Sequence, residues 1–141
     1  MAVKKPQSSY RNVMLIDDSE IDNFINQKII EGCNFAENVY VHTSSKSALE
    51  FLKNFDRNGV FPKELIPNII FLDINMPIMD GFQFADEFQK FGTELKEAIK
   101  IVFLTTSLNP QDQEKALKTP SVLKYINKPL TRDHLNAIAK S

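Results

Sequence analysis

Five short apolar runs punctuate the chain: Val13-Met14-Leu15-Ile16, Val39-Tyr40-Val41, Ile69-Ile70-Phe71-Leu72, Ile101-Val102-Phe103-Leu104 and Val122 to Ile126. They are rich in β-branched and aromatic residues and apolar on successive positions, as strands buried on both faces are. Between them the period changes to that of a helix. Ile21, Phe24, Ile25, Lys28 and Ile29 recur at i, i+3 and i+4, with Gly32 as the stop. Ala48, Phe51, Leu52 and Phe55 form a second stripe that ends before Asn58-Gly59, and Phe84, Ala85, Phe88 and Phe91 a third that ends at Gly92. A fourth helix is predicted to open at Asn109-Pro110, a cap residue followed by proline at the first helical position, with a thin apolar face of Ala116 and Leu117. A fifth opens at Thr131 and carries Leu135, Ile138 and Ala139. Strand and helix in strict alternation predict an α/β fold, a doubly wound parallel sheet with helices on both faces. Residues 1–10 read as a polar tail and 11–141 as the domain. The longest irregular connection is expected from Asp56 to Pro67, and Thr93 to Lys100 either extends the third helix or forms a loop.

Composition narrows the class. A chain of 141 residues fits one domain, and a domain of that size buries roughly 68–70% of its unfolded surface, enough for a core without disulfides. Lys and Arg total 17 against 18 Asp and Glu, so no basic excess points to nucleic acid. The only cysteine, Cys33, excludes an internal disulfide and a cysteine zinc site. No apolar run approaches the ~20 residues of a membrane span, and no apolar segment of the signal-peptide kind comes after the charged start. A soluble, cytoplasmic domain is the expectation.

In an open parallel sheet, ligands bind beyond the carboxyl ends of the strands, so the residues just past each run decide the chemistry. The first run ends in Asp17-Asp18, the third in Asp73, the fourth in Thr105-Thr106 and the fifth in Asn127-Lys128-Pro129. The second ends in His42-Thr43, at a sheet edge if the strand order is 2-1-3-4-5. Carboxylates gathered this closely repel one another, and a hard divalent cation relieves them; an all-oxygen set suits Mg²⁺. Such a metal usually completes its shell with phosphate oxygens, which Lys128 would help neutralise and to which Thr105 could donate. No Gly-rich phosphate loop is present, so a nucleotide is not the obvious ligand. A carboxylate could itself accept the phosphoryl group, and Asp73 is the natural choice, because Asp17 and Asp18 lie together and suit the metal.

Leu15-Ile16-Asp17-Asp18-Ser19, Phe71 to Gly81 (FLDINMPIMDG), Leu104-Thr105-Thr106-Ser107 and Tyr125-Ile126-Asn127-Lys128-Pro129 resemble, in order and spacing, the receiver domain of two-component response regulators. The likeness covers residues 11–141 and implies a flavodoxin-like five-stranded sheet in order 2-1-3-4-5. It implies that Asp73 is the phosphoacceptor, that Asp17 and Asp18, Asp18 most directly, bind Mg²⁺ with Asp73, and that Asn75 offers the metal a backbone carbonyl. Thr105 matches the switch hydroxyl, Lys128 the phosphate-pairing lysine ahead of a cis Lys128–Pro129 peptide, and Tyr125 the switch aromatic. Thr106 joins Thr105 and Lys128 at the phosphate position, where the family often has alanine. Met76-Pro77 and Asp80-Gly81 match the turn into the third helix. The implied partners are a sensor histidine kinase or a His-containing phosphotransfer protein, and an unidentified downstream protein that reads the helix opening at Pro110, the fifth strand and the last helix. The chain ends about one helix past Thr131, so a stand-alone receiver is expected, acting through protein contact.

Two other classes compete. A phosphatase of the haloacid-dehalogenase kind would carry a second aspartate where Asn75 stands, and a pseudo-receiver would lack one of the acids or the lysine. Phe82, Phe84, Phe88 and Phe91 read as core, His42 and His134 as non-catalytic with His134 solvated, and Cys33 as a small buried residue at a helix end.

Overall fold

A computed structural model describes residues 8–56 and 62–140. The five strands are β1 (Tyr10–Ile16), β2 (Ala36–His42), β3 (Ile69–Leu72), β4 (Lys100–Thr105) and β5 (Val122–Asn127). All pair in parallel, in the order β2-β1-β3-β4-β5. The helices are α1 (Glu20–Gly32), α2 (Ser45–Asp56), α3 (Gly81–Phe88), α4 (Thr93–Ala98), α5 (Pro110–Lys118) and α6 (Arg132–Ala139), with a 3-10 turn at Lys63–Leu65.

The central strands divide their side chains between two apolar layers with the period of two that pleating imposes. Met14, Ile16, Ile70, Leu72, Ile101 and Phe103 face one way, onto Leu49 and Leu52 of α2, Phe84 and Phe88 of α3, Leu95 of α4 and Ala116 of α5. Val13, Leu15, Ile69, Phe71, Val102 and Leu104 face the other, onto Ile30 of α1 and Leu135 and Ile138 of α6. The whole of β3 is buried, and each such side chain contributes about 1.5–3 kcal/mol of burial. Phe82, Phe84, Phe88 and Phe91 belong to the first layer, as expected. Among the described residues no helix is long and apolar enough to cross a membrane.

Several expectations are corrected. Tyr10 is not tail: it opens β1 opposite Ala36 and its N–H donates to Phe35; residues 1–7 lie outside the described residues, as do Asn58 and Gly59. Thr93 to Ala98 neither extends α3 nor loops but forms the separate helix α4 after Gly92, whose Leu95 is buried. Cys33 is half-buried at the C-cap of α1. His134 is half-buried too, its ring accepting from Thr131 N–H in the capping box of α6.

The largest correction is the face of α1. Its buried residues are Asn23, Asn26 and Ile30, whereas Ile21 is 72% exposed, Phe24 61% and Ile25 46%. Amphipathic spacing identifies a helix, but not which stripe meets the sheet. Here a polar stripe wins near the N-terminus because the Asn23 amide donates to the backbone carbonyl of Asp17 at 2.8 Å, tying the helix to the end of β1.

Candidate functional site

The site forms where β1, β3, β4 and β5 end. β1 delivers Asp17 at the sheet edge, where its N–H donates to the His42 carbonyl at the end of β2. The chain then turns into α1, whose N-cap Ser19 accepts from Asp22 N–H and donates its own N–H to Asp17 Oδ1 at 2.9 Å. β3 delivers Asp73, whose N–H donates to the Ile16 carbonyl and whose Oδ1 accepts from Ile74 N–H at 2.9 Å. The next loop doubles back so tightly that Gly81 N–H donates to the Ile74 carbonyl at 2.8 Å. A Cβ on Gly81 would stand 2.3 Å from the Asp73 carbonyl oxygen, so glycine is required there by space. Asp80 caps α3 reciprocally with Gln83. Ile78, at the tip, is fully exposed and has φ 71°, a left-handed conformation that costs a β-branched residue energy.

Asp17, Asp18 and Asp73 each offer a carboxylate oxygen within 4.8 Å of the others. Asp17 and Asp73 are buried and Asp18 is exposed. Burial first, and the Asp17 charge second, hold the Asp73 carboxyl above its ordinary value, against the opposing pull of Lys128, the Thr105 hydroxyl and Ile74 N–H. An all-oxygen set of clustered carboxylates, without histidine or thiolate, is what a hard divalent cation selects.

Lys128 reaches this cluster from the end of β5, its N–H donating to the Thr105 carbonyl and its peptide to Pro129 cis. Its ammonium lies 2.5 Å from Asp17 Oδ2, 2.8 Å from Asp22 Oδ2 and 3.8 Å from Asp73 Oδ2. Burial works to lower its pKa, but the hydrogen bonds to Asp17 and Asp22 and the Asp73 charge more than reverse that, so it stays protonated above its ordinary range. Thr105 is fully buried at the end of β4. Its Oγ1 accepts from Ser107 N–H, the Ser107 hydroxyl donates to Asp112 at 2.6 Å, and the Ser107 carbonyl accepts from both Tyr125 OH and Asn127.

The structure therefore brings Asp17, Asp18, Asp73 and Lys128 together, with Thr105 at the adjoining strand end. Tyr125 is one step removed, linked through Ser107 and packed 6.5 Å from Phe103 ring to ring. Asn75 and Thr106 flank the cluster as exposed residues. Sequence reasoning missed Asp22, although an acid in the first turn after the Asp17-Asp18 strand end must sit at the same sheet edge. It also missed the Ser107–Asp112–Asn127 network, for which short polar residues carry no periodic signal.

The family model described as response regulator receiver domain matches residues 13–140. The chain is 30% identical to the sensor histidine kinase CheAY of Helicobacter pylori over 91% of its own length and 14% of that protein. It is 29% identical to the response regulator Rcp1 of Synechocystis over 71% of its length and 65% of Rcp1. It thus spans less than two thirds of each of these relatives. The crystal structure of a two component response regulator from Cytophaga hutchinsonii is 35% identical, with TM-score 0.81 over 92% of this chain and 94% of that one. These likenesses do not favour the phosphatase or the pseudo-receiver. With its 2-1-3-4-5 parallel sheet and its acid cluster facing a lysine, the chain belongs to the response regulator receiver domain family of two-component signalling.

Proposed function

We propose that Asp73 accepts a phosphoryl group from a phosphohistidine on a histidine kinase or phosphotransfer protein, and that this charge switches a protein-binding surface. The observation that carries the reading is the pairing of a carboxylate cluster with the Lys128 ammonium, whose side chain is 10% exposed and which lies 3.8 Å from Asp73 Oδ2. Asp73 Oδ1 is engaged by Ile74 N–H, which leaves Oδ2 as the attacking atom. The new O–P bond forms as the N–P bond breaks, and its electron pair returns to the imidazole. Asp17, Asp18 and Asp73 would hold Mg²⁺, with the Asn75 carbonyl as a further ligand, and the ion would supply positive charge against the phosphoryl oxygens. Lys128 neutralises a second oxygen, while Thr105, with Thr106 beside it, donates to a third.

The switch arises from the contacts of Ser107. When Thr105 turns toward the phosphoryl group, the loop it holds through Ser107 N–H is drawn with it, and the Tyr125 and Asn127 bonds to the Ser107 carbonyl are released or remade. The readout surface is α5, β5 and α6, where Leu117, Leu123 and Tyr125 line an open groove of about 370 Å³. On the donor side, Ile21, Phe24 and Ile25, exposed on α1, the helix that follows Asp17-Asp18, supply an apolar surface for the phosphohistidine protein. The reading is of a cytoplasmic signalling domain.

Intact-mass measurement after incubation with Mg²⁺ and acetyl phosphate tests it. One base-labile phosphoryl group is expected on the wild type, absent without Mg²⁺ and absent in Asp73→Asn. If acetyl phosphate, a phosphohistidine donor and beryllofluoride all leave the wild type unchanged, the reading is wrong.

A further inference from the structure

Asp22 touches the site and has no part in the reaction described above. It stands in the first turn of α1, half-buried, with its Oδ2 2.8 Å from the Lys128 ammonium. Lys128 has three N–H donors. Asp17 takes one at 2.5 Å and Asp22 another at 2.8 Å, while Asp73 at 3.8 Å lies outside hydrogen-bond range. The lysine expected to serve the phosphoryl group is therefore bonded to two other carboxylates.

Asp22 is held in place for this role. Ser19 Oγ accepts from its N–H, and Ser19 N–H donates in turn to Asp17 Oδ1, so the turn that carries Asp22 is braced against the same aspartate that shares the lysine. An ordinary surface ion pair has no such bracing, and its partner would be a mobile exposed lysine. Here the Lys128 side chain is 10% exposed, and the Asp22 side chain 37%.

We propose that Asp22 is a positioning residue that parks Lys128 short of Asp73, so that an anion arriving on Asp73 must win the ammonium from Asp22. This deepens the phosphoacceptor reading and rests on it. Two consequences of opposite sign result. Without the Asp22 charge the ammonium is freer to serve Asp73, so an anion bound there is held more tightly. The cluster of Asp17, Asp18 and Asp73 meanwhile loses a neighbouring negative charge and gains a closer positive one, so a divalent cation is held less tightly. A residue that merely stabilises α1 would move both affinities together or neither.

The test compares wild type, Asp22→Asn, Asp22→Glu and Glu20→Gln. Glu20 is exposed in the same first turn and serves as the control for helix charge. Mg²⁺ affinity is measured by calorimetry, and beryllofluoride affinity by ¹⁹F NMR at saturating Mg²⁺. For a half-exposed pair the expected shift is roughly two- to fivefold in each direction in Asp22→Asn, beryllofluoride tighter and Mg²⁺ weaker. Asp22→Glu, which keeps the charge, returns the Mg²⁺ affinity toward wild type, and Glu20→Gln leaves both within about 1.5-fold. Unchanged affinities in Asp22→Asn, or shifts of the same sign, overturn the proposal while leaving the phosphoacceptor reading intact. A wild type that binds neither probe overturns both.

Discussion

Replacing Lys128 by methionine keeps the stem and removes the charge, which isolates what the ammonium contributes. At an effective dielectric of about 20, unit charges at 2.5–3.8 Å attract by roughly 4–7 kcal/mol, and desolvation of the buried groups cancels most of it. Breaking one member out of a buried pair costs about 3–5 kcal/mol, because the charges left behind have no partner. The Asp22 share is screened by its exposure and is worth at most about 1 kcal/mol. A loss of about 2–4 kcal/mol at pH 7 is expected, read by urea unfolding followed by circular dichroism, since the chain has no tryptophan. The loss must also depend on pH. With the ammonium gone, Asp73 sits still further above its ordinary value of 3.8, so the native state binds more protons than the unfolded chain over the window above that value. Stability therefore rises as pH falls through the window, and the deficit of the variant shrinks on acidification. Lys128 itself, raised in the fold, contributes stability that is complete below 10.5 and is lost as pH climbs through its folded value; the variant lacks that alkaline loss. A deficit under about 0.5 kcal/mol, flat with pH, would refute the assignment of Lys128 as the cation that holds this cluster together.

Phe24→Ser is expected to change stability by no more than about 0.5 kcal/mol, since the ring is 61% exposed. It should slow phosphotransfer from a phosphohistidine protein while leaving acetyl phosphate uptake unaltered; equal loss from both donors would remove α1 as the docking face. Gly81→Ala forces a Cβ against the Asp73 carbonyl oxygen, at a cost of about 1–3 kcal/mol, and should weaken Mg²⁺ binding in calorimetry by displacing Asp73. Ile78→Asn puts a residue tolerant of left-handed backbone at φ 71° and should raise unfolding free energy by about 1 kcal/mol; no gain would mean that the strain is absent.

Much of this fold was legible because two-sided burial leaves little choice of residue. Ile69-Ile70-Phe71-Leu72 coincides with β3, and the other runs lie inside their strands. The acid and lysine positions were legible for a related reason: polar residues that close apolar strands gather at one sheet edge whatever the loops do. The orientation of α1 was hidden. Its apolar stripe looks like a core face, yet the helix turns Asn23 and Asn26 inward and leaves Phe24 in solvent. An apolar stripe left in solvent and one buried in a core obey the same period. Helix α4 was hidden because six residues give too little pattern to separate a short helix from a loop. The Asp22–Lys128 pair joins residues 106 apart in sequence, and only the meeting of α1 with the end of β5 brings it into being.

Under the proposed chemistry the phosphoryl group forms on Asp73 and nowhere else. Borohydride reduction of the protein after phosphorylation in Mg²⁺, with peptide mass spectrometry of the product, reads the acceptor directly, because an aspartyl phosphate is reduced to homoserine. Homoserine is expected at position 73 alone, and nowhere when Mg²⁺ is omitted. Homoserine at Asp17 or Asp18, or a phosphorylated chain with Asp73 unreduced, would contradict the claim.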